Sequence, residues 1–210
     1  EITAAVNQPV IVSTAIGRGL AGDSQSAHNM KPGDYILMTK TAGLEGTGII
    51  ASDFEEELSG VLTDEELVSA KALLDQVSVV KEGLIAGEIG TSGMHDVTEG
   101  GILGAVWEMC HIAGLGCQVW KEQVAADPVT IKIAEHFDIN WLRLISSGCM
   151  LIVAPEAKTE RLMAAIQKGG IEVSCIGQVC EKEKGLYLVD GDRQIEIAPP
   201  EADELYKVVK

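Results

Sequence analysis

The stretch "MHDVTEGGILGAVWEM", residues 94–109, gathers His95, Asp96, Thr98 and Glu99 against the glycine pair Gly100–Gly101, then turns apolar. A carboxylate, a hydroxyl and bare glycine amides at the start of a helix are the groups that meet a phosphate or a metal-bound water. Asp96 with Glu99 three residues on fits an acid-led capping box, and Thr98 offers an alternative cap. Ile102, Leu103, Val106, Trp107 and Cys110 then repeat at helical spacing, which predicts a helix to about Ala113. The two glycines each cost about 1 kcal/mol in a helix relative to Ala. Their presence has two readings: close approach of a ligand, or close packing of a neighbouring backbone against a capped helix start.

A second Gly-rich turn, "TAGLEGTG" at 41–48, also leads into a helix and invites the same anion contact through Gly43, Gly46 and Thr47. It lacks the Gly-Lys-Ser/Thr ending of a P-loop. The expectation is that both turns converge on one cleft. Ser146 and Ser147 in "LISSG" have no nucleophile elbow around them, which argues against a serine hydrolase. His95 and Asp96 are adjacent in a predicted strand, where neighbours point to opposite faces, a poor geometry for a dyad. The four histidines are far apart and form no metal motif, so no metal ligand is assigned from spacing.

The elements that must position these residues alternate. Strands are predicted at 9–16 ("PVIVSTAI"), 35–40 ("YILMTK"), within 91–97, at "GCQVW", "CMLIVAP", "IEVSCIGQVC", "GLYLVD" and "RQIEIAP". The last two are joined by an Asp-Gly-Asp turn suited to a hairpin. Helices are predicted after Gly43 to about Leu58, from the Thr63/Glu66 capping box, over 79–90 with a Gly90 stop, after Asp127-Pro128, and over "PEAKTERLMAAIQKGG". Interleaved helices and strands give an α/β or α+β fold, a mixed sheet layered with helices. Residues 17–34 read as a Gly- and Ser-containing loop or linker.

The chain has 210 residues, 46% hydrophobic and 23% charged, with a formal net charge of −16. That field repels polyanions and argues against nucleic acid. No apolar run approaches the roughly 18 residues of a membrane span, and the first residues have no signal-peptide pattern. The odd count of five cysteines, with no Cys-x-x-Cys, points to reduced, mostly buried thiols in a cytoplasmic chain. The chain opens on Glu1 in what reads as a strand entered mid-fold, so an N-terminal part is expected to be missing.

These segments resemble the aminoimidazole ribonucleotide synthetase (PurM-like) superfamily, and within it the HypE hydrogenase-maturation branch. "AAVNQPVIVSTAIG" is similar to the last strand of that family's N-terminal ATP-binding domain. "KPGDYILMTKTAGLEGTGIIA" is similar to the opening of its C-terminal domain. "MHDVTEGG" resembles its Asp-x-Thr-x-Gly-Gly element. "LRLISSGCMLIVAPEAKTERLMAAIQKGGIEVSCIGQV" resembles its closing segment. The resemblance implies residues 1–30 as a remnant of the N-terminal domain and linker, and 31–210 as the C-terminal domain. It implies a homodimeric, ATP-dependent enzyme that activates an amide, carbamoyl or selenide-type group by phosphoryl transfer. Mg²⁺ and ATP would be held mainly by the N-terminal domain, with other maturation proteins as partners. Asp96 then stands as the catalytic residue, and Gly43, Gly46, Thr47, Thr98, Gly100 and Gly101 as cofactor contacts. Three departures weigh on the substrate: Glu99 where that branch carries Arg, "SSG" where it carries an Asn-Glu-Gly-like turn, and no Pro-Arg-x-Cys-like tail for a carbamoyl group. The rival readings are a non-catalytic nucleotide- or metabolite-binding regulatory module of the same fold and a structural dimerisation domain.

Overall fold

The computed structural model describes residues 11–14, 16 and 25–209. Its centre is a seven-stranded sheet in the order β2-β4-β1-β5-β3-β6-β7. The strands are β1 (Tyr35–Thr39), β2 (Gly93–Asp96), β3 (Gly116–Trp120), β4 (Met150–Ala154), β5 (Val173–Cys180), β6 (Leu186–Asp190) and β7 (Arg193–Glu196). All neighbours are antiparallel except β3 and β6, which run parallel.

Period-two alternation sorts the side chains into two layers. Ile36 and Met38 of β1, with Leu151 and Val153 of β4, enter one core. It is roofed by α4 (Gly101–Ala113). Leu37, Met150, Ile152 and Ala154 enter the opposite core, under α3 (Val80–Ile89) and α6 (Glu156–Lys168). β4 is buried along its whole length, which explains why it reads as an unbroken apolar run rather than an alternating one. A third cluster, of α1 (Leu44–Asp53), α2 (Asp64–Ala72) and α5 (Pro128–His136), flanks the sheet.

Local signals explain most of the ends. Thr63 and Glu66 form the reciprocal capping box at α2, and Asp127 caps α5 with Pro128 in its first turn. Gly90 and Gly114 stop α3 and α4. The hairpin of β6 and β7 turns at Gly191, φ +58°. One helix is shorter than expected: α1 ends at Asp53 rather than near Leu58, with turns over 55–58. The strand expected over 9–16 is not seen in its described residues. Positions 11–14 and 16 are unpaired, and Ile11, Val12 and Ile16 are more than four-fifths exposed. Positions 9, 10 and 15 lie outside the described residues. The outer side of the edge strand β2 is met instead by Gln25, whose carbonyl accepts the Met94 amide at 3.1 Å. Ala27 and Met30 are buried in the core under α4.

Candidate functional site

The 94–109 stretch is a strand-to-helix junction: β2 ends at Asp96 and α4 begins at Gly101. The capping box expected from Asp96 and Glu99 is not formed. Gly100 (φ +82°) and Gly101 (φ +59°) wind the chain left-handed, so Gly100 holds the cap position and Asp96 stays in register with Met150. A glycine cap has no side chain of its own. The Gly100 amide donates instead to Asp203 Oδ2 at 2.6 Å, across 103 positions of sequence.

Asp96, Thr98 and Glu99 are exposed at this junction, and Val97 between them is fully buried. His95 stands between two carboxylates: its Nε2 lies 2.8 Å from Glu108 Oε2 and its Nδ1 3.6 Å from Asp96 Oδ1. The strict alternation expected of adjacent strand residues therefore fails at Asp96, the last residue of β2. Gly101 is explained by packing. A Cβ there would lie 2.7 Å from the Leu142 carbonyl oxygen and 2.8 Å from the Arg143 Cα.

The second Gly-rich turn is closed by the same segment. The Gly43 amide donates to Ser146 Oγ (2.6 Å), and Ser146 Oγ donates to the Leu144 carbonyl (2.7 Å). The Gly46 amide donates to the Ile145 carbonyl (3.0 Å), and a Cβ at Gly46 would meet Leu144 Cγ at 2.5 Å. Thr47 is fully buried, bonded through Oγ1 to Thr130 Oγ1 at 2.9 Å. The structure thus brings Gly43, Gly46 and Gly101 against one feature, the 141–148 segment, and not to an open cleft. Ser146 serves as a buried bridge.

Sequence reasoning missed Asp203 and Arg143. Asp203 accepts three amides: Gly100, Ile145 (Oδ1, 3.2 Å) and Leu205 (Oδ1, 2.8 Å). The last is a local capping signal legible at "DEL"; the other two are long-range. Burial pushes the Asp203 carboxyl above its ordinary range, against the pull of those amides. Arg143 Nη2 donates to the Ala198 carbonyl at 2.9 Å. Gly100, Arg143, Tyr206 and Lys207 help to line a cavity of about 460 Å³ beside this junction. Tyr206 donates its hydroxyl to Glu99 Oε1 (3.1 Å), which pushes the phenol up.

All five cysteines are free thiols. Cys149 is buried as expected, and its thiol is pushed up by burial; Cys175 is only half-buried. Among the described residues no group of three His, Cys, Asp or Glu is placed to hold a metal ion, and no helix is long and apolar enough to cross a membrane.

Residues 31–189 match the model of the AIR synthase related protein family, C-terminal domain. The chain belongs to that family. It is 29% identical over 198 residues to an uncharacterized protein of Methanocaldococcus jannaschii, covering 93% of this chain and 41% of that one. It is 22% identical over 157 residues to the carbamoyl dehydratase HypE of Rhodobacter capsulatus, covering 75% and 44%. The chain thus spans less than half the length of these two relatives. Among solved structures, E. coli HypE superposes with a TM-score of 0.73 at 22% identity, over 87% of this chain and 55% of that one. A HypE in complex with ATP gives 0.67 at 18% identity, over 89% and 56%. The fold is PurM-like, α+β, and HypE-like in its C-terminal domain.

Proposed function

We infer that this chain is the C-terminal part of an ATP-dependent enzyme that activates a carbonyl- or carbamoyl-type oxygen by phosphoryl transfer. The observation that carries the reading is the β2–α4 junction: a family element that sets Asp96, Thr98 and Glu99 on the surface while its glycines are fixed from behind. The HypE relatives, one of them a structure with ATP, support nucleotide use. A HypE–HypF complex among the similar structures supports other maturation proteins as partners, and a homodimer remains part of the proposal on the family's pattern.

The described residues do not by themselves fit Mg-ATP. Gly100 and Gly46, the amides that a phosphate would meet, are bonded within the chain, Glu99 accepts from Tyr206, and Asp96 has only the His95 ring at its side. No chemical step is therefore derived through the nucleotide. In this reading Mg²⁺ and ATP belong to the whole protein, held mainly outside 31–210, and Asp96 orients the substrate. His95, flanked by Glu108, positions Asp96.

The test is phosphate release from Mg-ATP by the longer protein. Asp96→Ala should lower kcat at least tenfold with the fold intact by circular dichroism. Unchanged turnover would remove Asp96 from the mechanism. A second reading, a non-catalytic binding module, is favoured by the internal occupation of both helix starts; it predicts nucleotide binding without turnover in the same experiment.

A further inference from the structure

Adjacency in a strand made His95 and Asp96 a poor pair in sequence. The structure gives His95 a second partner that sequence spacing did not mark. β2 packs on α4, and His95, in register with Leu151, meets Glu108 about two turns into that helix: Nε2 lies 2.8 Å from Glu108 Oε2. An ionised carboxylate only accepts, so Nε2 carries the proton of the neutral ring. Nδ1 then holds a lone pair, and it faces Asp96 Oδ1 at 3.6 Å. In the neutral ring two acceptors thus meet across one gap with no proton between them. His95 is half-buried and Asp96 is exposed, so the gap lies at the surface of the junction.

The ring has no competing cation. Among the described residues no Lys or Arg pairs with Asp96 or Glu108. Of the elements packed on β2, β4 carries no titratable side chain over Met150–Ala154. α4 brings Glu108 and, a turn later, His111, whose ring stacks on Trp107 with 4.5 Å between centres. The short turn Ala27–Asn29 brings His28, which is exposed, and Glu99 along the junction is bonded to Tyr206. A proton taken up at Nδ1 is therefore met by two carboxylates. A carboxylate behind a histidine fixes its tautomer and steadies the imidazolium, the arrangement a general base uses.

We propose that His95 is the general base of this junction: Nδ1 is the accepting atom, Glu108 the positioning residue behind it, and Asp96 the group that orients the donor. The ligand is a small molecule with an N–H or O–H at its reacting end, and a carbamoyl-type N–H is such a group. Its proton passes to Nδ1, the bonding pair stays on the substrate nitrogen or oxygen, and the ring becomes an imidazolium between Asp96 and Glu108. This rests on the reading that the β2–α4 junction faces the substrate.

The first test needs no turnover. Nitrogen NMR of the 210-residue chain, recorded where the His95 ring is neutral, should find the proton on Nε2 and a lone pair on Nδ1. The Nε2–H should be protected from exchange in the parent chain and lose that protection in Glu108→Ala. A proton on Nδ1 would turn the lone pair toward Glu108 and overturn the proposal; an Nε2–H equally labile in parent and variant would do the same. The second test uses the longer protein. His95→Ala should lower kcat about 10²–10⁴-fold, the usual worth of a general base, with added imidazole restoring part of the loss. Glu108→Ala should lower kcat about tenfold with KM little changed, and Glu108→Gln, which can still accept from Nε2, should lower it less. Unchanged kcat in His95→Ala, a loss confined to KM, or a loss that imidazole does not touch would each remove the ring from proton transfer. A parent protein without turnover would defeat the phosphoryl-transfer reading, and the ring spectra would still decide this one.

Discussion

The most heavily bonded cation among the described residues is Lys40, which no sequence pattern marks as special. It has a left-handed backbone (φ +53°), and its Nζ donates to the carbonyls of Gln76 (3.1 Å), Ser78 (2.7 Å) and Gly148 (2.7 Å). It also pairs at 2.8 Å with Glu82, which is 1% exposed. A buried pair is weak evidence of net stabilisation, but removing one partner strands the other. Lys40→Met should therefore destabilise the chain by about 3–5 kcal/mol in urea unfolding, because among the described residues Glu82 keeps only the Thr39 hydroxyl. A loss below about 1 kcal/mol would mean that water reaches Glu82. Asp203 gives a pH signature. Its carboxyl is raised in the fold, so the folded chain holds this proton more tightly than the unfolded one. The associated stability is fully present below the ordinary carboxylate range and is lost as pH rises through the raised value. Subtracting the melts of Asp203→Asn, which cannot ionise, should leave a difference that turns against the parent chain across that window. A flat difference would show that the amides cancel the burial.

At the scale of elements, the glycines separate ligand approach from backbone approach. Gly101 has a positive φ, and a Cβ there meets main-chain atoms that cannot swing away. Gly101→Ala should cost more than about 3 kcal/mol, combining left-handed strain with overpacking. Gly100→Ala shares the strain, but its Cβ meets Pro200 Cβ at 3.1 Å and Gly104 Cα only at the ordinary contact distance of 3.5 Å, so about 1–2 kcal/mol is expected. Equal losses in thermal unfolding would show that the 141–148 segment yields. The elements themselves were legible in the sequence wherever the signal is local. The Thr63/Glu66 box, the Asp127-Pro128 start and the apolar β4 run all specify their own structure. The start of α4 was not. Asp96, Thr98 and Glu99 look like caps in sequence, but two left-handed glycines carry the chain past them, and the partner that replaces them comes from residue 203. The same holds for the turn at 43–47: its glycines read as an open anion site, while Leu144, Ile145 and Ser146 fill it from about 100 positions away. Periodicity and capping rules carry no information about contacts at that separation.

The whole domain can be judged by where it places charge neutralisation. Phosphoryl transfer is catalysed mostly by positioning and by cations or amides that meet developing negative charge. This chain carries a net charge of −16, has no P-loop, and ties the Gly46 and Gly100 amides to its own carbonyl and carboxylate. A helix start contributes about 0.3–1 kcal/mol to an anion, and up to about 2 in partly buried geometry. Both starts together, freed of their internal partners, approach the roughly 4 kcal/mol of a millimolar dissociation constant. With Asp203 and Ser146 in place they fall short of it. The 210-residue chain alone should therefore bind Mg-ATP no more tightly than about millimolar in calorimetry and release no phosphate from it. Micromolar binding of Mg-ATP by the parent chain, or turnover that vanishes in Asp96→Ala, would show instead that these residues hold a complete active site and that the rest of a longer protein is dispensable for the chemistry.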